Sequence, residues 1–121
     1  MPEIIRDTDN LLRRVKFTHP DHIKPDGSVS SFAFKLRNIN SVKEKGLSAD
    51  IERLTTYEKS IADHFSFRLY KVHVEYVRGI GLDCVHVPEE GNDAHALIVG
   101  NINTKASENL ARHAKRIAYP D

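Results

Sequence analysis

The chain has 121 residues, with 18 Lys or Arg against 17 Asp or Glu and a formal charge of +1. That length suits one ordinary domain. The charge balance excludes the strongly basic domain of a dedicated DNA packer but leaves room for a local basic face. With 40% hydrophobic and 29% charged residues, there is enough apolar matter for one core and too much for a disordered chain.

One cysteine, Cys84, excludes an intrachain disulfide and a thiolate zinc cluster and suits a reducing compartment. No apolar run approaches the ~18 residues of a bilayer crossing. The first residues, Met1 to Asp7, lack the apolar stretch and small-residue cleavage site of a signal peptide. A soluble, cytoplasmic protein with no membrane partner is expected.

Asp7 or Thr8 can cap a short helix carrying Leu11, Leu12 and Val15, with Arg13 and Arg14 at its positive-tolerant C-terminal end. Phe17 to Ser31 is then the longest irregular stretch, with Pro20, Pro25 and a Pro-Asp-Gly turn. Phe32, Phe34 and Leu36 alternate with polar or small residues, which predicts a strand, and Asn38 to Gly46 is polar and turn-rich. Leu47, Ala49 and Ile51 predict a second strand. Thr55 and Glu58 have capping-box spacing for a helix over 56–63.

Residues 65–80 fit two patterns. Phe65, Phe67 and Leu69 alternate as in a strand, whereas Leu69, Val72, Tyr76 and Ile80 fit a helical face. The stop signals Gly79 and Gly81 favour a helix ending there, although valines weaken it. Leu82 to Val87 predicts a strand closed by Pro88, followed by a turn over 89–93. Ala94 to Val99 predicts a buried central strand. Thr104 can cap a last helix with Leu110, Ala111, Ala114, Ile117 and Ala118 on its apolar positions. This order gives an α+β fold, a small mixed β-sheet with helices packed on it in a single domain.

Leu12-Arg13-Arg14, Lys24 to Ser31, Ala33-Phe34, Leu47 to Asp50 and Ala94 to Gly100 together resemble a family of small bacterial proteins to which no activity is attached. The resemblance covers about residues 10–117. It implies a stand-alone bacterial domain whose polar signature residues are Arg14, Asp26, Ser30, Ser31, Ser48, Asp50 and His95. Residues 65–78 depart from the family by being richer in valine and charge.

His95 lies within an apolar run, and a buried imidazole needs a partner at each ring nitrogen. A backbone carbonyl and a hydroxyl would make it a core residue; a place at a strand end would make it a general acid/base. Lys24, Asp26, Ser28, Ser30 and Ser31 form the best candidate binding loop, able to offer hydroxyl and backbone hydrogen bonds to a phosphate. The glycine spacing and Gly-Lys-Ser/Thr ending of a P-loop are absent, so a plain turn into the next element is the competing reading. Ser48 and Asp50 share the polar face of a strand, but no Gly-x-Ser-x-Gly elbow exposes a nucleophile, which speaks against a hydrolytic triad with His95. His19 and His22 around Asp21, and His64 with His73, lack metal-ligand spacing, so neither a metal nor another cofactor is expected.

Arg13, Arg14 and Lys16 form one basic cluster, and Arg112, His113, Lys115 and Arg116 another. Side-by-side terminal helices would join them into a phosphate-backbone patch, but the near-neutral total favours ordinary charged faces, so nucleic acid is not the favoured partner. Cys84 reads as a small core residue. The first functional expectation is a binding or accessory module for a protein partner or phosphate-bearing ligand, using Arg14 and the Lys24 to Ser31 loop. The alternative is a small metal-independent enzyme acting on a nucleotide or RNA, with His95 as general acid/base, Arg14 on phosphate and Asp50 or Asp26 orienting the imidazole. An oligomer held by exposed apolar surface from residues 65–80 is the third.

Overall fold

In the computed structural model, residues 4–18, 21–36, 45–63 and 65–117 are described, with backbone alone at 38–39 and 42–43. The first element is a strand, β1 (Asn10–Lys16), where a helix is predicted. The spacing of Leu11, Leu12 and Val15 is ambiguous because both faces of this strand are covered. Leu11 and Val15 enter the main core, and Leu12 enters a second, smaller core on the other side. Residues 31–34 form a 3-10 turn, Ser31–Phe34, instead of the predicted strand. Here backbone groups find side-chain partners. Ser30 Oγ caps the Phe32 N–H, Arg13 takes the Ala33 carbonyl and Ser107 Oγ takes that of Phe34. No ladder is needed to satisfy them. Phe34 is fully buried while Phe32 is exposed.

The polar stretch after it contains a short hairpin, β2 (Asn38–Ile39) with β3 (Val42–Lys43). β4 (Leu47–Ile51) is the predicted strand. Helix α1 (Tyr57–Ile61) is capped one residue later than predicted: Thr56, not Thr55, accepts from the Lys59 N–H. The helix ends early because Ala62 takes a positive φ of 63°. Residues 65–80 realise both patterns in succession, β5 (Phe67–His73) and then α2 (Val74–Gly79). β6 (Asp83–His86) and β7 (His95–Val99) follow as predicted. Helix α3 (Thr104–His113) is capped by Asn103, whose side chain accepts from the Ala106 N–H. It stops at His113. Ile117 lies in an edge strand, β8 (Lys115–Ile117), paired with β5, where it packs with Leu12 and Leu69. Ala118 and Pro120 lie outside the described residues.

Six strands form one sheet in the order β6-β7-β4-β1-β5-β8. The fold is α+β, and the sheet, expected to be mixed, is antiparallel in every described ladder. Two helical crossovers, β5–α2–β6 and β7–α3–β8, link strands that are not neighbours in the sheet, so neither creates a parallel ladder.

Directly opposed residues share a face, so the register sorts the sheet into two sides. One side carries Leu11, Val15, Leu47, Ala49, Ile51, Tyr70, Val72, Ala96 and Ile98, all in the main core with Val74 and Val77 of α2, Leu110 of α3 and Phe34. The other side carries Leu12, Arg14 and Lys16 of β1, Ser48 and Asp50 of β4 and His95 of β7. Helix α1 covers only one part of it, through Ile61 against Leu12 and Leu69. The 89–93 turn reaches over Asp50 and His95, and among the described residues Arg14, Lys16 and Ser48 stay exposed. No described helix is long and apolar enough to cross a membrane.

Candidate functional site

The open face becomes a cleft where β1 and β4 separate. Their ladder has only two pairs, Leu11↔Ile51 and Leu12↔Asp50. Beyond it, Arg13 donates from Nη1 to the Ser48 carbonyl and from Nε to the Ala33 carbonyl, each at 2.7 Å. Its guanidinium stands in for ladder bonds the diverging strands no longer make. The resulting cleft has a volume of about 1150 Å³, and its walls include Arg14, Ser48, Asp50 and His95. Four residues drawn from three strands and scattered over 82 positions of sequence thus share one concave surface.

His95 is 9% exposed, and both ring nitrogens have partners. Nδ1 lies 2.8 Å from the Val87 carbonyl. A carbonyl only accepts, so Nδ1 carries a hydrogen, and in the neutral ring Nε2 then keeps its lone pair. In that form Ser48 Oγ, 3.3 Å from Nε2, donates to it. Glu89 Oε1 stands 3.4 Å from Nδ1, close enough to pair with an imidazolium if one forms. A carbonyl and a hydroxyl are the partners expected of a core histidine. Here the hydroxyl belongs to an exposed serine on the cleft wall.

Asp50 lies directly across the ladder from His95 but does not orient it. Its Oδ2 accepts from Ser60 Oγ at 2.7 Å, and its Oδ1 accepts from Asn92 Nδ2 at 2.9 Å. The carboxylate ties α1 and the 89–93 turn to β4, holding two walls of the cleft. The Val87 carbonyl does the orienting expected of an aspartate.

Among the described lining residues, five are Lys or Arg and three are Asp or Glu. Arg13 is occupied with carbonyls and Asp50 with its two donors. Arg14, Lys16, Lys35 and Lys59 then remain as cations on the walls, against the carboxylates of Glu89 and Asp93. Arg14 lies over the Phe67 ring, with its guanidinium carbon 5.1 Å from the centroid, and Lys35 lies over Phe32 at 4.3 Å. These aromatic faces hold the charges at the cleft without neutralising them.

The Lys24 to Ser31 loop is elsewhere in its chemistry. An Ile23↔Val29 bridge, Lys24 N–H to the Ser28 carbonyl, and Gly27 at φ 88° close it into a tight hairpin. Asp26 accepts from the Ser28 hydroxyl at 2.6 Å and N–H at 2.9 Å, and those bonds hold its carboxyl below the usual range. Ser30 is buried as a cap, and Ser31 opens the 3-10 turn. Lys24, Asp26, Ser28, Ser30 and Ser31 are absent from the cleft walls; their chain neighbours His22, Phe32 and Lys35 are present. The structure therefore separates Arg14 from the loop it was expected to serve and joins it to Ser48 and His95.

Lys16, Lys35, Lys59 and Glu89 were not singled out as cleft residues. For Lys16 the signal was present: in a strand, Leu12, Arg14 and Lys16 alternate onto one face, which the helical reading hides. Nothing local marks Lys59 or Glu89. The basic patch of two terminal helices does not form, because its N-terminal half is β1. His19 and His64 lie outside the described residues, and among those described no three His, Cys, Asp or Glu side chains gather as metal ligands would. Cys84 is buried in the main core, and burial pushes its thiol up to about 12. No family model, curated protein or solved structure matches the chain.

Proposed function

We propose that the chain is a binding or accessory module that takes a phosphate-bearing ligand in the cleft between β1 and β4. The observation that carries this is the set Arg14, Lys16, Lys35 and Lys59 on the walls of one concavity, in a chain whose formal charge is only +1. Anions are drawn to a cleft with an excess of positive charge, here five Lys or Arg against three Asp or Glu, and Arg14 can meet a phosphate with two parallel donors. The setting is a bacterial cytoplasm, supported by the family resemblance and by a lone, buried cysteine.

Thermal-shift titration with inorganic pyrophosphate, adenosine monophosphate and a short RNA tests the reading, because a ligand binding only the folded state raises the melting temperature. At least one probe is expected to stabilise the wild type. Because the Arg14 side chain makes one 3.4 Å bond, to the Ser60 carbonyl, and one ring contact, with Phe67, Arg14→Ala is expected to fold yet bind about tenfold to a hundredfold more weakly. A panel without effect, or an Arg14→Ala protein that binds as the wild type does, contradicts it.

One observation favours a second reading, the metal-independent enzyme acting on a nucleotide or RNA. His95 Nε2 carries its lone pair toward an exposed hydroxyl on the cleft wall, and a neutral imidazole in that tautomer is a competent general base.

A further inference from the structure

We propose that Ser48 is a nucleophile activated by His95, and that the cleft catalyses hydrolysis of a phosphate ester through a phosphoryl-Ser48 intermediate. The substrate class rests on the phosphate-binding reading above, and the chemistry rests on the Ser48–His95 contact. Nucleophilic catalysis by serine needs a base within reach of the hydroxyl, a group fixing that base's tautomer and access for the substrate. All three are present. Ser48 Oγ donates to His95 Nε2 at 3.3 Å, a distance typical of a dyad without substrate. The Val87 carbonyl at 2.8 Å holds the hydrogen on Nδ1. Ser48 is exposed, whereas His95 is buried behind it, so a substrate meets the hydroxyl before the imidazole.

Position adds to this. Ser48 lies at the strand separation, and Arg13 anchors its carbonyl, so its backbone is fixed although one ladder has ended. Arg14, Lys35 and Lys59 line the same cleft and supply positive charge for the equatorial oxygens of a phosphoryl group in transfer.

In the first step the Ser48 Oγ–phosphorus bond forms and the bond from phosphorus to the leaving alkoxide breaks. The Oγ proton passes to His95 Nε2 and from there to the departing oxygen. In the second step water attacks the phosphoryl-serine, gives its proton to Nε2, and the phosphorus–Oγ bond breaks. The hydrolysed phosphate leaves and Ser48 recovers its proton. No oxidant or reductant enters.

Diisopropyl fluorophosphate makes the same oxygen–phosphorus bond and reports the first step without knowledge of the substrate. Intact and peptide mass spectrometry of the treated protein is expected to show one adduct, on Ser48. Ser48→Ala should fold and show none. His95→Gln should slow labelling by about a hundredfold or more, the usual worth of a general base. If that variant does not fold, the wild type decides alone, through whether Ser48 outpaces the other serines and loses its advantage in urea. An unlabelled wild type, or equal labelling of Ser48→Ala, overturns the proposal. Pyrophosphate in a parallel sample separates the two readings. Binding without labelling removes the nucleophile and leaves the binding module, whereas labelling without binding removes the phosphate-ester substrate class.

Discussion

At the scale of single residues, three side chains make distinct demands on the fold. Asp9 is buried, which by itself would push its carboxyl up. Hydrogen bonds from Arg53 Nε at 2.8 Å and from the Arg6 N–H, with the charges of both arginines, outweigh this and hold it below its ordinary 3.8. A depressed carboxylate stabilises the fold above the unfolded-state value, and the contribution is lost as pH falls through the folded one. Urea unfolding of wild type and Asp9→Asn should therefore converge below about pH 4 and differ most near neutrality. A difference that stays constant with pH would contradict the pairing. Tyr70 carries the opposite lesson: its hydroxyl is buried and finds no hydrogen-bond partner among the described residues. Removing an unsatisfied buried group recovers its desolvation cost, so Tyr70→Phe should be neutral or stabilising by up to about 2 kcal/mol. A clear fall in melting temperature would show that the hydroxyl is paired. Cys84, buried with its thiol raised to about 12, should resist a disulfide reagent at neutral pH in the native protein and react only when unfolded.

At the scale of elements, caps and pairings decide where local signals hold. Asn103, not Thr104, caps α3, so Asn103→Ala should cost about 1 kcal/mol in chemical unfolding while Thr104→Ala costs little. The reverse order would return the cap to the residue that sequence alone suggests. β4, β6 and β7 are legible because each alternates or runs apolar and is bounded by turn residues. β1 is not, because a strand buried on both sides at different points loses its period of two and imitates a short helix turn. Phe32 to Leu36 alternates yet forms no strand, because hydroxyl and guanidinium groups from Ser30, Ser107 and Arg13 satisfy its backbone. Two of those donors lie far away in sequence. Ile117 is claimed by the β5 edge over the helix it periodically fits. The same logic governs the site. His95, Ser48, Asp50 and Arg14 are recognisable one by one, but their meeting depends on a strand order that skips from β7 to β4 to β1. The Lys24 to Ser31 turn looks like a binding loop because the residues that make tight turns are also those that bind anions.

At the scale of the whole molecule, the arrangement is a sheet with one covered side and one half-covered side. Helices α2 and α3 and the 3-10 turn bury the first; α1 and the 89–93 turn cover part of the second and leave a cleft with more cations than anions. A near-neutral protein thereby acquires a positive concavity, which net charge cannot reveal. Anion binding there should weaken as ionic strength rises from about 0.01 to 0.1 M, where screening shortens from about 30 Å to about 10 Å. The most direct test is an amide chemical-shift titration of the labelled protein with pyrophosphate. Phosphate binding in the cleft requires the largest shifts at Arg14, Ser48, Asp50 and His95, with Lys24 to Ser31 nearly still. Shifts centred on Lys24 to Ser31, or none at saturating pyrophosphate, would contradict a phosphate site between β1 and β4.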